Sequence, residues 1–253
     1  MRNDSRRITR TPTLRRGSGL GDLLQRNAAL RTVFADRPEL GGRLQELRAW
    51  QAERLLRTHA DLHASPRYRR AVAFFFGELY GGKDPRSRDR DLQKVQRIME
   101  TLLPAEALHA LSHAIELEIL TQELDADVVR ALPAGPITEQ SYRAAYRHAG
   151  RRSDRERQIA LLYEVGTFLD HVVSKPLTRT LVRFARAPAH AAGLGGLQEF
   201  LERGLDAFES MHGAQEFLDQ VRERETLALE SLFADTDDPL DAVDANAPGN
   251  SHD

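Results

Sequence analysis

Two Glu-x-x-His motifs contain the residues whose type and spacing point most directly to chemistry. A glutamate and a histidine three positions apart share one face of a helix, where both can bind the same metal ion. Di-iron helical bundles combine two such pairs with one further glutamate from each of two other helices. The chain carries the corresponding residues in the same order, namely Glu78, Glu106, His109, Glu164, Glu209 and His212. One hypothesis for the function is therefore a metal-carboxylate (di-iron-type) oxidase or oxygenase on a ferritin-like or haem-oxygenase-like helical bundle.

Chance and position both weigh against that hypothesis. Nine histidines, each with roughly a one-in-ten chance of a glutamate three residues earlier, give about one such pair by accident. Glu106 falls in the first turn after Pro104, and His212 directly precedes Gly213, so both pairs lie at predicted helix ends. The sequence therefore favours no cofactor, and iron or zinc is expected only under the metal-carboxylate hypothesis.

A second group of candidate ligands lies on one predicted helix. His109, His113 and Glu116 are spaced to share a helix face, and two imidazoles four residues apart can chelate zinc. Leucines border the same face, which favours interior histidines without a metal. Glu164 and His171, two turns apart on a later helix, leave the same two alternatives open.

Other functional classes lack their sequence signals. The chain has no cysteine, which excludes disulfides, thiolate metal sites and a cysteine nucleophile. We find no G-x-S-x-G sequence and no P-loop. A net charge of −2 and an aromatic content of 6% argue against a nucleic-acid partner. No apolar run reaches the roughly 18 residues of a membrane-spanning helix, so no membrane partner is expected.

The elements that must position these residues are all helical. Apolar residues recur at helical spacing, and no segment alternates with the period of two that is typical of strands. The sequence predicts an all-α fold, with a single-domain bundle of roughly eight or nine helices over residues 19–234. Residues 1–18 are basic and residues 235–253 are acidic, and both have little to bury. We therefore expect a disordered basic arm and a disordered acidic tail.

Capping signals predict where several helices begin. One helix is expected over about 38–63, because leucines and Gln51 form a stripe there. Thr138, followed by Ser141, begins a short helix. Ser153 with Glu156 three residues later has the pattern of a capping box for the next helix.

The stretch from Phe74 to Asp91, FFFGELYGGKDPRSRDRD, joins two predicted helices. Its first part is apolar on most sides, which is typical of a helix in the middle of a bundle. If one surface of the molecule is functional, we expect it at this turn. A partly desolvated carboxylate near an arginine can serve as an acid, a metal ligand or a structural ion pair. The residues of this predicted patch are Glu78, Tyr80, Asp84, Arg88 and Asp89.

The same stretch resembles the signature of the FFLEELY-motif proteins, a family of bacterial all-helical proteins. The matching positions run from Phe74 to Gly81 and continue at Arg88-Asp89. The resemblance extends through SHAIELEILTQELD, RQIALLYEVGTFLDHVV and FLERGLDAFESM, and so covers most of the helical region. Gly77 replaces the first glutamate of the pattern, so a site that needs both carboxylates is not expected here. The resemblance implies a bacterial all-helical protein but no particular activity.

These observations predict a binding, interaction or regulatory module rather than an enzyme. The expected partner is another protein or a second copy of the chain. A bacterial cytoplasm is the expected location. The metal-carboxylate oxidase or oxygenase remains the alternative.

Overall fold

Helices make up the regular secondary structure of the described residues, which confirms the predicted all-α class. The computed structural model describes residues 19–79, 105–175, 178–191, 195–234 and 240, apart from the side chains of 31, 33, 35, 38, 76–79, 181, 185, 188 and 197. This part of the chain contains no strand. Its ten helices are α1 (Leu20–Ala35), α2 (Pro38–Thr58), α3 (Ala60–Ala64), α4 (Arg69–Leu79), α5 (Ala105–Ala131), α6 (Glu139–Ala149), α7 (Arg152–Val173), α8 (Thr178–Ala191), α9 (Gly195–Glu209) and α10 (Gln215–Phe233).

The 27-residue helix α5 is the element around which one half of the bundle assembles. It packs against α1, α2, α6 and α7. In the other half, α9 packs against α4, α7 and α8. Helix α10 lies along both α6 and α7, so α7 and α10 connect the two halves.

Each half of the bundle has its own apolar core. The first core joins α2, α5, α6 and α10 and includes Leu47, Val128 and Tyr142. The second joins α3, α4, α9 and α10 and includes Val72, Phe208 and Phe217. Leucines of α5 and α7 form a smaller cluster. Burial of this apolar surface is the main term that stabilises the bundle.

Phe75 of the phenylalanine run packs against the second core, as the apolar character of the run predicts. The Phe75 ring lies 5.5 Å from that of Phe208 and 5.9 Å from that of Phe217, measured between centroids. The Phe74 ring lies 5.5 Å from that of Phe200. Helix α4 therefore contacts α9 and α10 through these rings.

Two predicted helix boundaries differ from the structure. The helix expected over about 38–63 is divided at His59, which separates α2 from α3. Ser153 does not cap α7, because the cap position is Arg151, with φ 62° and no side-chain cap. The capping box lies one helix earlier, where Thr138 and Ser141 each bond the other's backbone N–H.

The predicted ends of the domain are only partly described. Residues 1–18 lie outside the described residues, and within 235–253 the structure describes Leu240 alone. Leu240 is 1% exposed and packs into the first core, so packed structure extends beyond the predicted boundary at 234. None of the described helices is both long and apolar enough to cross a membrane.

Candidate functional site

Charged and amide side chains interrupt the buried stripes of four helices at one level of the bundle. Each lies at a position where the helical period places a side chain in the interior, among apolar residues of the same helix. They come from α2, α5, α7 and α10 and line one cavity: Gln51, Arg54, Asp125, Arg155 and Glu225.

Arg54 and Glu225 form a bidentate ion pair across α2 and α10. The two guanidinium nitrogens lie 2.8 and 2.9 Å from the two carboxylate oxygens. His59 Nε2 lies 3.0 Å from Glu225 Oε1, and the break between α2 and α3 leaves this imidazole fully buried. Burial alone raises the pKa of Glu225, but the Arg54 charge and the hydrogen bonds from His59 and Arg54 outweigh it. The pKa of Glu225 is therefore lowered to about 2, and this carboxylate is ionised at neutral pH.

Asp125 of α5 is the most deeply buried carboxylate at the site, with 1% exposure. Gln51 Nε2 donates to Asp125 Oδ1 at 3.2 Å, and Arg48 Nε donates to Asp125 Oδ2 at 3.4 Å. Burial raises the pKa of Asp125, although the charges of Arg48 and Arg155 oppose the shift. Asp125 therefore faces the charges of two arginines, while both oxygens of Glu225 bind Arg54.

Arg155 of α7 has a different environment from Arg54. It is 4% exposed, donates to the Leu124 carbonyl oxygen at 3.2 Å and stacks over the Tyr146 ring at 4.3 Å. No carboxylate of the described residues lies within ion-pair distance of it, and its Nε is buried with no hydrogen-bond partner among them. A buried guanidinium normally has a bound anion or a full set of acceptors.

The unpaired donor of Arg155 and an unpaired acceptor line the same cavity. Gln51 is 5% exposed, and its Oε1 has no hydrogen-bond partner among the described residues. The cavity has a volume of about 50 Å³, and Tyr142, Tyr146 and Gln158 complete its polar wall. Because a cavity needs about 10–15 Å³ to hold one water, this volume suits a few waters or one small polar group.

A second cavity of about 90 Å³ adjoins the polar one. Gln158, Ile159 and Glu225 line both. The rest of its wall comes mainly from α2, α4, α5, α7 and α10 and is almost entirely apolar: Leu55, Phe75, Leu117, Thr121, Leu162, Phe217, Leu218 and Val221. Gln158 Nε2 donates to Thr121 Oγ1 at 2.7 Å, which fixes this amide where the two cavities meet. Polar and apolar volumes side by side are typical of small-molecule sites.

Some of the predicted metal ligands meet at the surface between α5 and α7. His113 Nδ1 lies 2.9 Å from Glu164 Oε2, and the His109 and His113 rings are 4.0 Å apart. Arg157 binds both carboxylates there, at 3.2 Å from Glu116 and 3.1 Å from Glu164. Burial lowers the pKa of His113, and the Glu164 charge only partly opposes this.

The guanidinium of Arg157 therefore supplies the positive charge that Glu116 and Glu164 share. The predicted ligands Glu106, His109 and His171 are exposed to solvent, so His109 is not the interior histidine that the neighbouring leucines favoured. Across the described ranges, no three histidine, aspartate or glutamate side chains form a group that could hold a metal ion.

The predicted patch after the phenylalanine run is largely outside the described residues. Glu78 lies in the last turn of α4, and its side chain is not described. Tyr80, Asp84, Arg88 and Asp89 fall between α4 and α5, in the range that the structure does not describe. The patch stays a prediction.

The residues of the polar cavity were not singled out from the sequence as functional. The apolar spacing of α2 predicts Gln51 on the buried stripe of the helix, and its 5% exposure confirms that position. The available signal was repetition: each of four helices carries a charged or amide residue in line with apolar neighbours, such as Arg155 with Ile159 and Leu162. One such residue is common, but four that face one another mark a site.

One protein-family model matches residues 31–239 of the chain, a range that contains every residue of both cavities. That family is described as a domain of unknown function, DUF8198. No curated protein and no solved structure shows a significant match. Since the match covers most of the chain, the protein belongs to the DUF8198 family.

Proposed function

We propose that this protein is a binding module for a small molecule that carries a carboxylate, and that the carboxylate binds Arg155 in the polar cavity. The observation that carries the proposal is the buried guanidinium of Arg155, whose Nε has no partner among the described residues. A buried cation is costly unless an anion or acceptor balances it. A ligand carboxylate supplies both the charge and the acceptor oxygens.

The charges around the cavity favour an anion rather than a cation. Arg54 and Glu225 balance each other through two short hydrogen bonds. The charges of Arg48 and Arg155 both act on Asp125, whose pKa they lower against the effect of burial. Two cations therefore face one carboxylate, and one additional negative charge completes the balance.

The test compares ligand binding by the full chain and by Arg155→Met. Methionine keeps the length and apolar stem of arginine, and loss of a buried unpaired charge is often neutral for stability. We expect hexanoate to raise the melting temperature of the wild-type protein and to bind in calorimetry, whereas 1-hexanol of equal chain length binds at least about tenfold more weakly. In Arg155→Met, hexanoate affinity falls by at least about tenfold.

Arg143→Met is the matched control. Arg143 is also a buried arginine, but it pairs with Glu139 at 3.1 Å and donates to the Ser231 carbonyl oxygen at 3.1 Å, away from the cavity. We expect this variant to lose stability and keep hexanoate affinity. Equal affinity in wild type and Arg155→Met, or no carboxylate binding at all, would overturn the proposal.

The location and macromolecular partner form a further part of the proposal. A bacterial cytoplasm fits the cysteine-free sequence, and another protein or a second copy as partner fits the exposed Phe184 side chain on α8.

The metal-carboxylate alternative stays a hypothesis, which iron and zinc analysis of protein purified without chelator tests. The ion pairs of Arg157 with Glu116 and Glu164 do not favour it.

A further inference from the structure

We infer that the ligand is a short-chain monocarboxylate whose apolar tail occupies the 90 Å³ cavity while its carboxylate binds Arg155. This inference rests on the proposed function and adds the class of ligand. The two cavities have opposite character and share Gln158, Ile159 and Glu225. A molecule that fills both is charged at one end and apolar at the other.

The walls define what each end of the ligand contacts. At the polar end, Arg155 Nε is a donor and Gln51 Oε1 an acceptor, and neither has a partner within the described part of the chain. Gln51 Nε2 donates to Asp125 Oδ1 at 3.2 Å, so the amide oxygen is the atom left without a partner among the described residues. At the apolar end, the surrounding leucines, phenylalanines and Val221 offer no charged group besides Glu225, which Arg54 already holds.

Size limits the ligand. Drug-sized molecules occupy cavities of roughly 300–1,000 Å³, whereas a buried apolar cavity of about 150 Å³ holds a molecule the size of benzene. A cavity of about 90 Å³ therefore suits a tail of a few carbon atoms rather than a long acyl chain. The Gln51 acceptor also favours a hydroxyl beside the carboxylate, which would donate to it.

The test is a chain-length series of acetate, butanoate and hexanoate, titrated into the full-length protein. Each methylene that enters the apolar cavity should tighten binding about fourfold, which corresponds to ~0.8 kcal/mol. The gain should stop when the cavity is full. We expect 2-hydroxyhexanoate to bind several-fold more tightly than hexanoate, because its hydroxyl can pair with Gln51.

Two variants that fill the apolar cavity complete the test. Val221→Phe and Leu117→Phe each add volume to its wall from a different helix, so a folding failure of one leaves the other. We expect both to abolish the chain-length dependence and to leave acetate affinity within about twofold of wild type.

The outcomes separate the two proposals. Carboxylate binding that depends on Arg155 but not on chain length would overturn the short-chain inference and leave the proposed function intact. Chain-length dependence that persists in both filled variants would place the tail elsewhere and also overturn the inference. Failure of all the carboxylates to bind would overturn both.

Discussion

Two buried arginines at the same site illustrate how local partners decide what a side chain can do. Both oxygens of Glu225 bind Arg54, and this ion pair joins α2 to α10. Arg155 donates to a backbone carbonyl and stacks on Tyr146, and among the described residues its Nε has no hydrogen-bond partner. The first is therefore a structural residue, and the second is the one we assign to ligand binding.

Replacement of Glu225 should make stability depend on pH in a defined direction. The pKa of Glu225 is lowered from 4.5 to about 2 in the folded protein, so its ion pair stabilises the fold above about pH 4.5. That contribution is lost as the pH falls from about 4.5 towards 2. We expect Glu225→Gln to cost roughly 3 kcal/mol at pH 7, because Arg54 is left buried without its counterion. Urea unfolding measured from pH 7 to pH 2.5 should show the difference from wild type shrinking below about pH 4.5.

Glu223→Gln is the control for this pH series. Glu223 lies on the exposed side of the same helix, so its substitution should change the free energy of unfolding by less than about 0.5 kcal/mol. If Glu225→Gln and wild type differ by the same amount at every pH, the Glu225 carboxylate does not carry the ion-pair energy assigned to it.

At the scale of helices, periodicity predicts where helices lie but does not determine how their ends are stabilised. The capping pattern at Ser153 and Glu156 is present in the sequence, yet α7 begins at Arg152 after a left-handed Arg151. Arg151 binds Asp154 locally at 2.6 Å and Asp127, 24 residues earlier, at 2.9 Å, so a long-range ion pair contributes to this helix start. A sequence pattern that describes only local hydrogen bonds cannot include such a contact.

The contact between α7 and α10 depends on a glycine. A methyl group on Gly166 would lie 2.4 Å from Leu218 Cδ2, so this buried leucine would have to move. Overpacking costs about 1–3 kcal/mol, and the better helix propensity of alanine returns up to about 1 kcal/mol. We therefore expect Gly166→Ala to destabilise the protein by about 1 kcal/mol, measured by urea unfolding.

Gly42 offers a matched substitution without the clash. It lies inside α2, and a methyl group there would meet no other atom within 4 Å. Gly42→Ala should stabilise the protein by about 0.5–1 kcal/mol through helix propensity alone. Stabilisation by Gly166→Ala of the same size would show that α7 and α10 are not in close contact at this point.

At the scale of the whole molecule, the candidate site exists only because four distant segments meet. Gln51 and Glu225 are far apart in sequence, and each occupies an ordinary position on its own helix. The sequence predicted the all-α class and the buried stripe that contains Gln51, because both follow from local periodicity. It could not predict which stripes face each other, since helix packing is set by contacts among residues remote in sequence.

The first core also depends on a residue beyond the last helix. Leu240 is 1% exposed and packs among residues of α2, α5, α6 and α10, and its backbone N–H donates to Glu139 Oε1 at 2.9 Å. Glu139 also pairs with Arg143, so this one contact links Leu240 to the start of α6.

We expect Leu240→Ala to cost about 2–4 kcal/mol, because a fully buried leucine leaves a cavity when it is truncated. Leu227→Ala on α10, where the leucine is 43% exposed, should cost less than about 1 kcal/mol. Urea unfolding of both variants decides the matter: equal small effects would mean that Leu240 does not belong to the core and that the packed domain ends with α10.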